Sequence, residues 1–372
     1  MKMKWAYIVL GWVLIFPELF VRLAYGITLK PFLDSIGGTY LVGGAVLAGF
    51  YVGYMGGNIP LSILVDRNGY KILFLEMLGT AVGALLFAEG RNALTAASGM
   101  FVMGLCSAAT YTASMKLVVE NSDSYKSVSI GLLESAGPSV LLLSGALLPR
   151  VISTAPWQDV YLSVAAICGA VAVPFYFLKA ERRGPESSAR SLLLSRRIWG
   201  LSVVRFFGLW GVWGISTWLF TLLRLVYGFS ATQSGLYVTL FGAVGILSIP
   251  VAGLMADLTR SRRKVTLILL TAFFVTAFLF PLTPRAEVWV TTSILGFLAF
   301  AYRSPLDTII AEYRRGLTAT SMGVANTVSQ ASQVVVPILV GSVLTFSNMY
   351  WTVFPIVALG PGLATLILWR LK

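Results

Sequence analysis

Long apolar runs follow one another along almost the whole chain, separated by short polar stretches. A helix needs about 20 mainly apolar residues to cross a bilayer. Twelve segments reach that scale: 5–29, 40–64, 72–89, 93–117, 127–149, 157–178, 198–223, 232–256, 265–283, 287–311, 318–343 and 350–369. The third and ninth are short, and proline or glycine interrupts several others. The runs are continuous and do not alternate with period two, which excludes the strands of a membrane barrel. One long hydrophilic stretch, Lys179 to Arg197, divides six segments from six. The predicted architecture is an all-α integral membrane protein with twelve transmembrane helices. Residues 1–178 form one six-helix bundle, 179–197 a linker and 198–372 a second bundle.

The polar positions between the runs repeat. Asp66-Arg67-Asn68-Gly69-Tyr70-Lys71 follows the second run, and Gly253-Leu254-Met255-Ala256-Asp257 leads into Arg260-Ser261-Arg262-Arg263-Lys264 after the eighth, with the two aspartates 191 residues apart. Glu120 and Glu312, each ending a span, are 192 apart, as are Gly131 and Gly323. A long-period repeat of this kind marks a duplicated unit. Both aspartate loops fall on one side of the membrane, so the unit holds an even number of spans. Six per unit makes the halves parallel repeats about an axis along the membrane normal.

Composition supports the membrane reading. The chain is 57% hydrophobic and 12% charged, with a mean hydropathy of +0.82, against about 25% charged residues in soluble domains. A net charge of +13 in a soluble protein would suggest nucleic acid; in this one it belongs to the loops. With both termini cytoplasmic, inner segments hold twenty Lys and Arg, outer loops five, and the spans three. That bias satisfies the positive-inside rule, and the expected location is the cytoplasmic membrane. The apolar run after Lys4 lacks a small-residue cleavage pattern and is expected to stay as the first span. Cys106 and Cys168 lie within apolar runs as packing residues. There is no histidine, so a carboxylate must carry any transported proton. No residue cluster has metal-ligand spacing and no phosphate-binding glycine loop is present. Neither a metal, a cofactor, an enzyme activity nor a nucleic-acid partner is expected.

At this point the chain resembles the major facilitator superfamily of secondary transporters. The resemblance rests on the loop pattern Gly-x-x-x-Asp-Arg/Lys-x-Gly-x-Arg/Lys between spans two and three. It reads Ser62-x-x-x-Asp66-Arg67-x-Gly69-x-Lys71 in this chain, with a degenerate copy at Gly253 and Asp257. Ser62 stands where the family usually has glycine. The resemblance implies a twelve-helix fold and a gating role on the cytoplasmic side for Asp66, Arg67, Gly69, Lys71, Glu120, Gly253, Asp257 and Glu312. Two family features are missing. Met100 occupies the position of the arginine that proton-coupled members often carry in span four, and only Gly137-Pro138 remains of the drug-antiporter pattern in span five. Physically, an aspartate at a helix end can cap the N-terminus of a neighbouring helix, whose dipole favours negative charge. Arg67 is expected to pair with Glu120 across the loop. Contacts of this kind, broken and remade as the halves rock, would bias one conformation.

Ionisable groups inside spans are costly and tend to be functional. Glu18 and Arg22 are four apart on span one and can pair on one helical face. A solute bound at Arg22 would leave Glu18 to take a proton. Arg303 and Asp307 on span ten form a similar pair around Pro305, which should kink the helix. Glu134 in span five and Arg205 in span seven are expected to bridge the halves, and Glu76 to snorkel to the inner interface. Asn326, Gln330 and Gln333 share one face of span eleven, as inter-helix hydrogen bonds or solute contacts. Trp210, Trp213, Trp218 and Tyr25 are aromatic candidates for a cavity wall. The substrate and coupling-ion candidates are thus Glu18, Arg22, Tyr25, Glu134, Arg205, Trp213, Arg303, Asp307, Asn326 and Gln330.

The leading expectation is a secondary transporter that moves a small organic solute by alternating access, coupled to protons and acting as a monomer. Three buried arginines favour an anionic metabolite. The alternatives are an antiporter for lipophilic drugs and, from another class, a non-transporting ligand sensor on a transporter fold.

Overall fold

The computed structural model describes residues 5–38, 40–122, 125–177, 189–314, 316–333, 335–336, 339–340, 343 and 349–371. Every regular element among them is helical. The first half contains span one (Trp5–Ile36), two (Tyr40–Asn68), three (Lys71–Ala88), four (Ala93–Cys106 and Thr110–Glu120), five (Lys126–Glu134 and Ala136–Thr154) and six (Trp157–Phe177). A short helix, Ala189–Leu193, precedes the second half, while 179–188 of the expected linker lie outside the described residues. Spans seven to ten are Arg196–Tyr227, Ala231–Leu258, Arg262–Leu279 and the pair Val288–Ala301 and Arg303–Ala311. Span eleven begins with Thr318–Gln330, and span twelve is Val353–Arg370.

Among the described residues nine helices are long and apolar enough to cross a membrane. Spans two and eleven pack against each other across the boundary between the halves, and so do five and eight. Other positions face outward. Val52, Leu75, Leu247 and Ile268 are exposed at the bundle surface, as lipid contact demands, and Trp5, Trp289, Trp351 and Trp369 are exposed near span ends, where indole rings favour the interface.

The duplication is written into the backbone. Six described residues adopt left-handed φ, and they fall into three pairs at the repeat spacing: Gly37 with Gly228, Gly69 with Arg260, and Tyr125 with Gly316. In the aspartate loop Gly69 takes φ +73° at no steric cost, whereas Arg260 holds φ +51° at a cost of about 1–2 kcal/mol. The second copy has lost the glycine without losing the turn.

Spans four, five and ten are interrupted, the last two by the same cause. A proline lacks an N–H and its ring crowds the carbonyl four residues back. Pro138 follows the interruption at Ser135, and Pro305 follows the one at Tyr302. Both positions keep helical dihedrals (φ −62°, ψ −14° and φ −64°, ψ −18°). Glu134 and Arg303 therefore flank weakened points of their helices. In span four no proline is involved. Ser107 Oγ instead donates to the carbonyls of Met103 (2.7 Å) and Gly104 (3.4 Å), the side-chain competition that bends helices.

Candidate functional site

A cavity of about 160 Å³ lies between the halves, walled by spans one, two, four, five, seven, ten and eleven. Its polar lining is densely bonded. On span one, Arg22 Nη1 donates to Glu18 Oε1 at 2.6 Å. Glu18 Oε2 accepts from Thr110 Oγ1 at 3.1 Å. The other amino group of Arg22 crosses to span eleven, donating to Gln333 Oε1 (3.2 Å) and Gln330 Oε1 (3.5 Å). The guanidinium also stands 5.5 Å and 5.6 Å from the ring centres of Tyr51 and Tyr54, a cation–π cage that stabilises a buried charge.

A second network closes the cavity floor. Arg205 holds Asp307 in a two-pronged bond, Nε to Oδ1 at 2.8 Å and Nη2 to Oδ2 at 3.1 Å. Its Nη1 donates to Asn326 Oδ1 at 3.2 Å, and Asn326 Nδ2 reaches Tyr54 OH of the other half at 2.8 Å. Arg303 Nη2 donates to Glu134 Oε1 at 3.2 Å. Tyr111 OH joins the two pairs, 2.8 Å from Glu134 Oε1, 2.9 Å from Asp307 Oδ2 and 3.0 Å from Arg205 Nη2. One phenolic proton cannot serve two carboxylates. The Tyr111 proton goes to one of them at a time, and the other oxygen keeps the bond from its arginine.

Several expectations are corrected by this geometry. Arg303 and Asp307 do not pair with each other, and Glu134 does not meet Arg205. The partners are exchanged, because Asp307 offers Arg205 the planar two-oxygen acceptor that suits its fork and the break at Tyr302 directs Arg303 across to Glu134. Tyr25 is packed in the first half's aromatic core with Phe32 and Phe87, donates to Gly43 O at 2.7 Å and does not line the cavity. Glu76 does not snorkel; it is 3% exposed. Of the tryptophans only Trp213 lines the cavity, and its Nε1 has no partner, as is true of Ser216 Oγ, Arg303 Nε and Glu134 Oε2 around the same space. Trp210 instead donates to Ile356 O at 3.2 Å.

The aspartate loops close the two seams at one end of the bundle. Asp66 Oδ2 accepts from the backbone N–H (2.7 Å) and hydroxyl (2.6 Å) of Thr320, and Oδ1 from Ala319 N–H at 3.3 Å. The first N–H groups of a helix lack intrahelical partners, so a carboxylate of the first half caps span eleven of the second. Lys116 Nζ completes the set at 2.9 Å from Asp66 Oδ1. Asp257 mirrors this, accepting from Val128 N–H at the start of span five at 3.0 Å, with Arg262 at 3.6 Å. Glu312 binds both Lys126, at 2.5 Å, and Arg262. Arg67 and Lys71 are exposed, and Arg67 makes no ion pair with Glu120 among the described residues. Glu120 instead accepts from Tyr70 OH at 3.2 Å and lies 3.9 Å from Lys116. Burial, reinforced by Glu120, holds the Tyr70 proton well above the usual tyrosine range.

The seams are tight where small residues meet. A Cβ on Gly253 would stand 2.3 Å from Ser127 O, one on Gly131 2.7 Å from Ile249 O, and one on Gly323 2.6 Å from Ser62 Oγ. Ser62, at the family's glycine position, thus packs against a glycine.

Tyr51, Tyr54, Tyr111, Thr110 and Lys116 were not singled out from the sequence. A tyrosine in a span reads equally as core or interface, and Lys116 lies near enough to a span end to count as a loop cation. Yet its side chain is 8% exposed and neutralised by Asp66.

The sequence model of the Major Facilitator Superfamily matches residues 11–337. The chain belongs to the Major Facilitator Superfamily. Solved superfamily structures share its fold. FucP in the outward conformation aligns over 98% of this chain and 98% of its own at 16% identity, TM-score 0.77. The proton:xylose symporter XylE bound to 6-bromo-6-deoxy-D-glucose aligns over 99% and 95% at 11% identity, TM-score 0.80. The human organic anion transporter MFSD10 (TETRAN) aligns over 97% and 96% at 18% identity, TM-score 0.71. No curated protein sequence matches the chain. As a superfamily member it is a multi-pass membrane transporter with the twelve-helix fold.

Proposed function

We propose that this chain is a proton-coupled secondary transporter of a small organic anion. It works as a monomer by alternating access, in the plasma membrane with both termini and the aspartate loops cytoplasmic. The rocking units are residues 1–178 and 198–372. The observation that carries the reading is that Arg22 reaches from Glu18 in one half to Gln330 and Gln333 in the other, beside the cavity. A solute bound at Arg22 would touch both halves at once.

Charge balance supplies the coupling. Each cavity arginine already has its own carboxylate: Arg22 with Glu18, Arg205 with Asp307, Arg303 with Glu134. An anion entering this set leaves one negative charge in excess, at a cost that buried sites do not tolerate. A proton arriving on Glu18 removes that excess and releases Arg22 to the solute. One proton per monoanion leaves the net charge of the cavity unchanged, so transport of a monoanion is electroneutral. Release of the proton on the far side restores the Glu18–Arg22 bond and expels the solute. The unpartnered Trp213 Nε1 and Ser216 Oγ are donors left for the rest of the solute. Two neighbours of this fold are described as proton symporters, E. coli FucP among them, and a third as an organic anion transporter, which accords with both parts of the reading.

The test uses purified protein in vesicles. A thermal-shift comparison of lactate and gluconate with neutral sugars and lipophilic amines selects the probe, and counterflow of that probe separates a transporter from a sensor. An inward proton gradient should then drive accumulation, and Glu18→Gln should keep exchange but lose the gradient-driven component. If Glu18→Gln accumulates the probe as the wild type does, Glu18 is not the coupling group.

A further inference from the structure

Glu76 of span three takes no part in the site described above. It is buried, and neither carboxyl oxygen makes a hydrogen bond. Native buried polar atoms are nearly always bonded, and a lone buried carboxylate is among the costliest groups a protein can hold. Among the described residues no lysine or arginine pairs with it. The titratable groups acting on or near it are Cys106 of span four and Glu18 of span one, neither of them a cation. A carboxyl in that setting is carried as the neutral acid.

Its surroundings give the acid a route to the cavity. Glu76 lies near the backbone of Ala109 without a hydrogen bond to it, in the interruption of span four between Cys106 and Thr110. The next residue, Thr110, touches Glu18 on the other side. Consecutive residues of one turn therefore adjoin two carboxyls, one beside the cavity and one hidden behind span four. Thr110 has a single hydroxyl proton and two acceptors in reach, Glu18 Oε2 at 3.1 Å and Ser107 O at 2.7 Å. With the hydroxyl turned to Ser107, its oxygen can accept from a protonated Glu18; turned to Glu18, it serves the carboxylate.

We propose that Glu76 is a proton-holding site of this transporter, in series with Glu18 across the break in span four. The inference rests on the proton coupling proposed above. In the transfer an O–H bond breaks at Glu76 and one forms at Glu18, with water entering the break as the relay from Glu76 and the Thr110 hydroxyl as the last partner before Glu18. One proton moves and no electrons change hands. Glu76 becomes the carboxylate and Glu18 the neutral acid that lets go of Arg22. The charge left on Glu76 requires water, so the transfer belongs to a conformation in which the Ser107–Ala109 break is wetted.

Infrared spectroscopy of the full chain in phosphatidylethanolamine–phosphatidylglycerol vesicles, without solute, tests this directly. The wild type should show at neutral pH the carbonyl stretch of a carboxylic acid free of hydrogen bonds. That band should be lost in Glu76→Gln, displaced in Glu76→Asp and retained in Glu18→Gln. It should fall as pH is raised, with the midpoint of the fall shifted in Glu18→Gln because the two groups interact. Absence of the band at neutral pH, its survival in Glu76→Gln, or its indifference to alkaline pH would each overturn the proposal. Gradient-driven uptake of lactate or gluconate separates the two readings. Uptake in the wild type that Glu76→Gln leaves untouched contradicts the role of Glu76 alone. An intact band with no gradient-driven uptake contradicts the coupling reading instead.

Discussion

At the seam of spans two and eleven, the capping carboxylate is buried together with its counter-ion. The side chains of Asp66 and Lys116 are 0% and 8% exposed. At the seam of spans five and eight, Asp257 caps in the same way, but Lys126, Arg262 and Glu312 around it are 27–30% exposed. The repeat has kept the device and changed its medium. Charge interactions weaken several-fold between a dry site and a wet one, so the first seam depends on buried bonds. The second depends on solvated charge and on close backbone packing, with Gly253 and Gly131 each meeting a carbonyl of the opposite half. One loop motif can therefore act through different physics in the two halves of a single duplicated chain.

The comparison breaks most visibly at Asp66. Asp66→Asn places an amide donor where Thr320, Ala319 and Lys116 already donate, and charge-assisted bonds contribute about 1.5–3 kcal/mol each. A loss of about 2 kcal/mol shifts the open-to-closed ratio of this seam roughly 30-fold. Labelling of a cysteine introduced as Ser62→Cys should accelerate accordingly, and an unchanged rate would remove the buried bonds from the account.

Next in size is Gly253→Ala, which drives a methyl group into Ser127 O at a cost of about 1–3 kcal/mol for overpacking. Gly323→Ala should cost less, since its neighbour is the Ser62 side chain. Equal labelling of the two variants would mean that the seams are not packed differently.

Asp257→Asn should loosen the second seam by about 1 kcal/mol, the scale of a helix cap. About 1 M salt, where the screening length is near 3 Å, should erase most of that difference but leave the Asp66→Asn effect largely intact. Glu312→Gln comes last. It removes the anion between Lys126 and Arg262, and exposed pairs contribute about 0–1 kcal/mol. Labelling of the second seam in low and high salt should show a small effect that vanishes in salt.

Much of this was legible in the chain itself. The twelve apolar runs, the repeat and the sidedness of the aspartate loops follow from the cost of placing polar backbone and side chains in lipid. The Glu18–Arg22 bond was legible because both partners sit one turn apart on the same helix. The same spacing misled at Arg303 and Asp307, where better acceptors and donors lie on other helices and only packing decides among them. Lys116 and Glu76 show a related gap. Distance from a span end can be counted in sequence, but whether a side chain turns to the interface or into the bundle depends on neighbours far along the chain. Position 260 carries a turn that its arginine conceals, since Arg260 adopts the left-handed backbone that Gly69 announces in the other half.

Rocking of the two halves about the cavity, with the aspartate caps holding one face shut, is tested most directly by pulsed electron–electron distance measurements. One pair of spin labels spans the Asp66 face and another the opposite face. The account predicts that the double variant Asp66→Asn, Asp257→Asn lengthens the distance at the Asp66 face and shortens the opposite one in the same fraction of molecules. Distances that stay as in the wild type, or a lengthening at the Asp66 face with no change opposite, would contradict it.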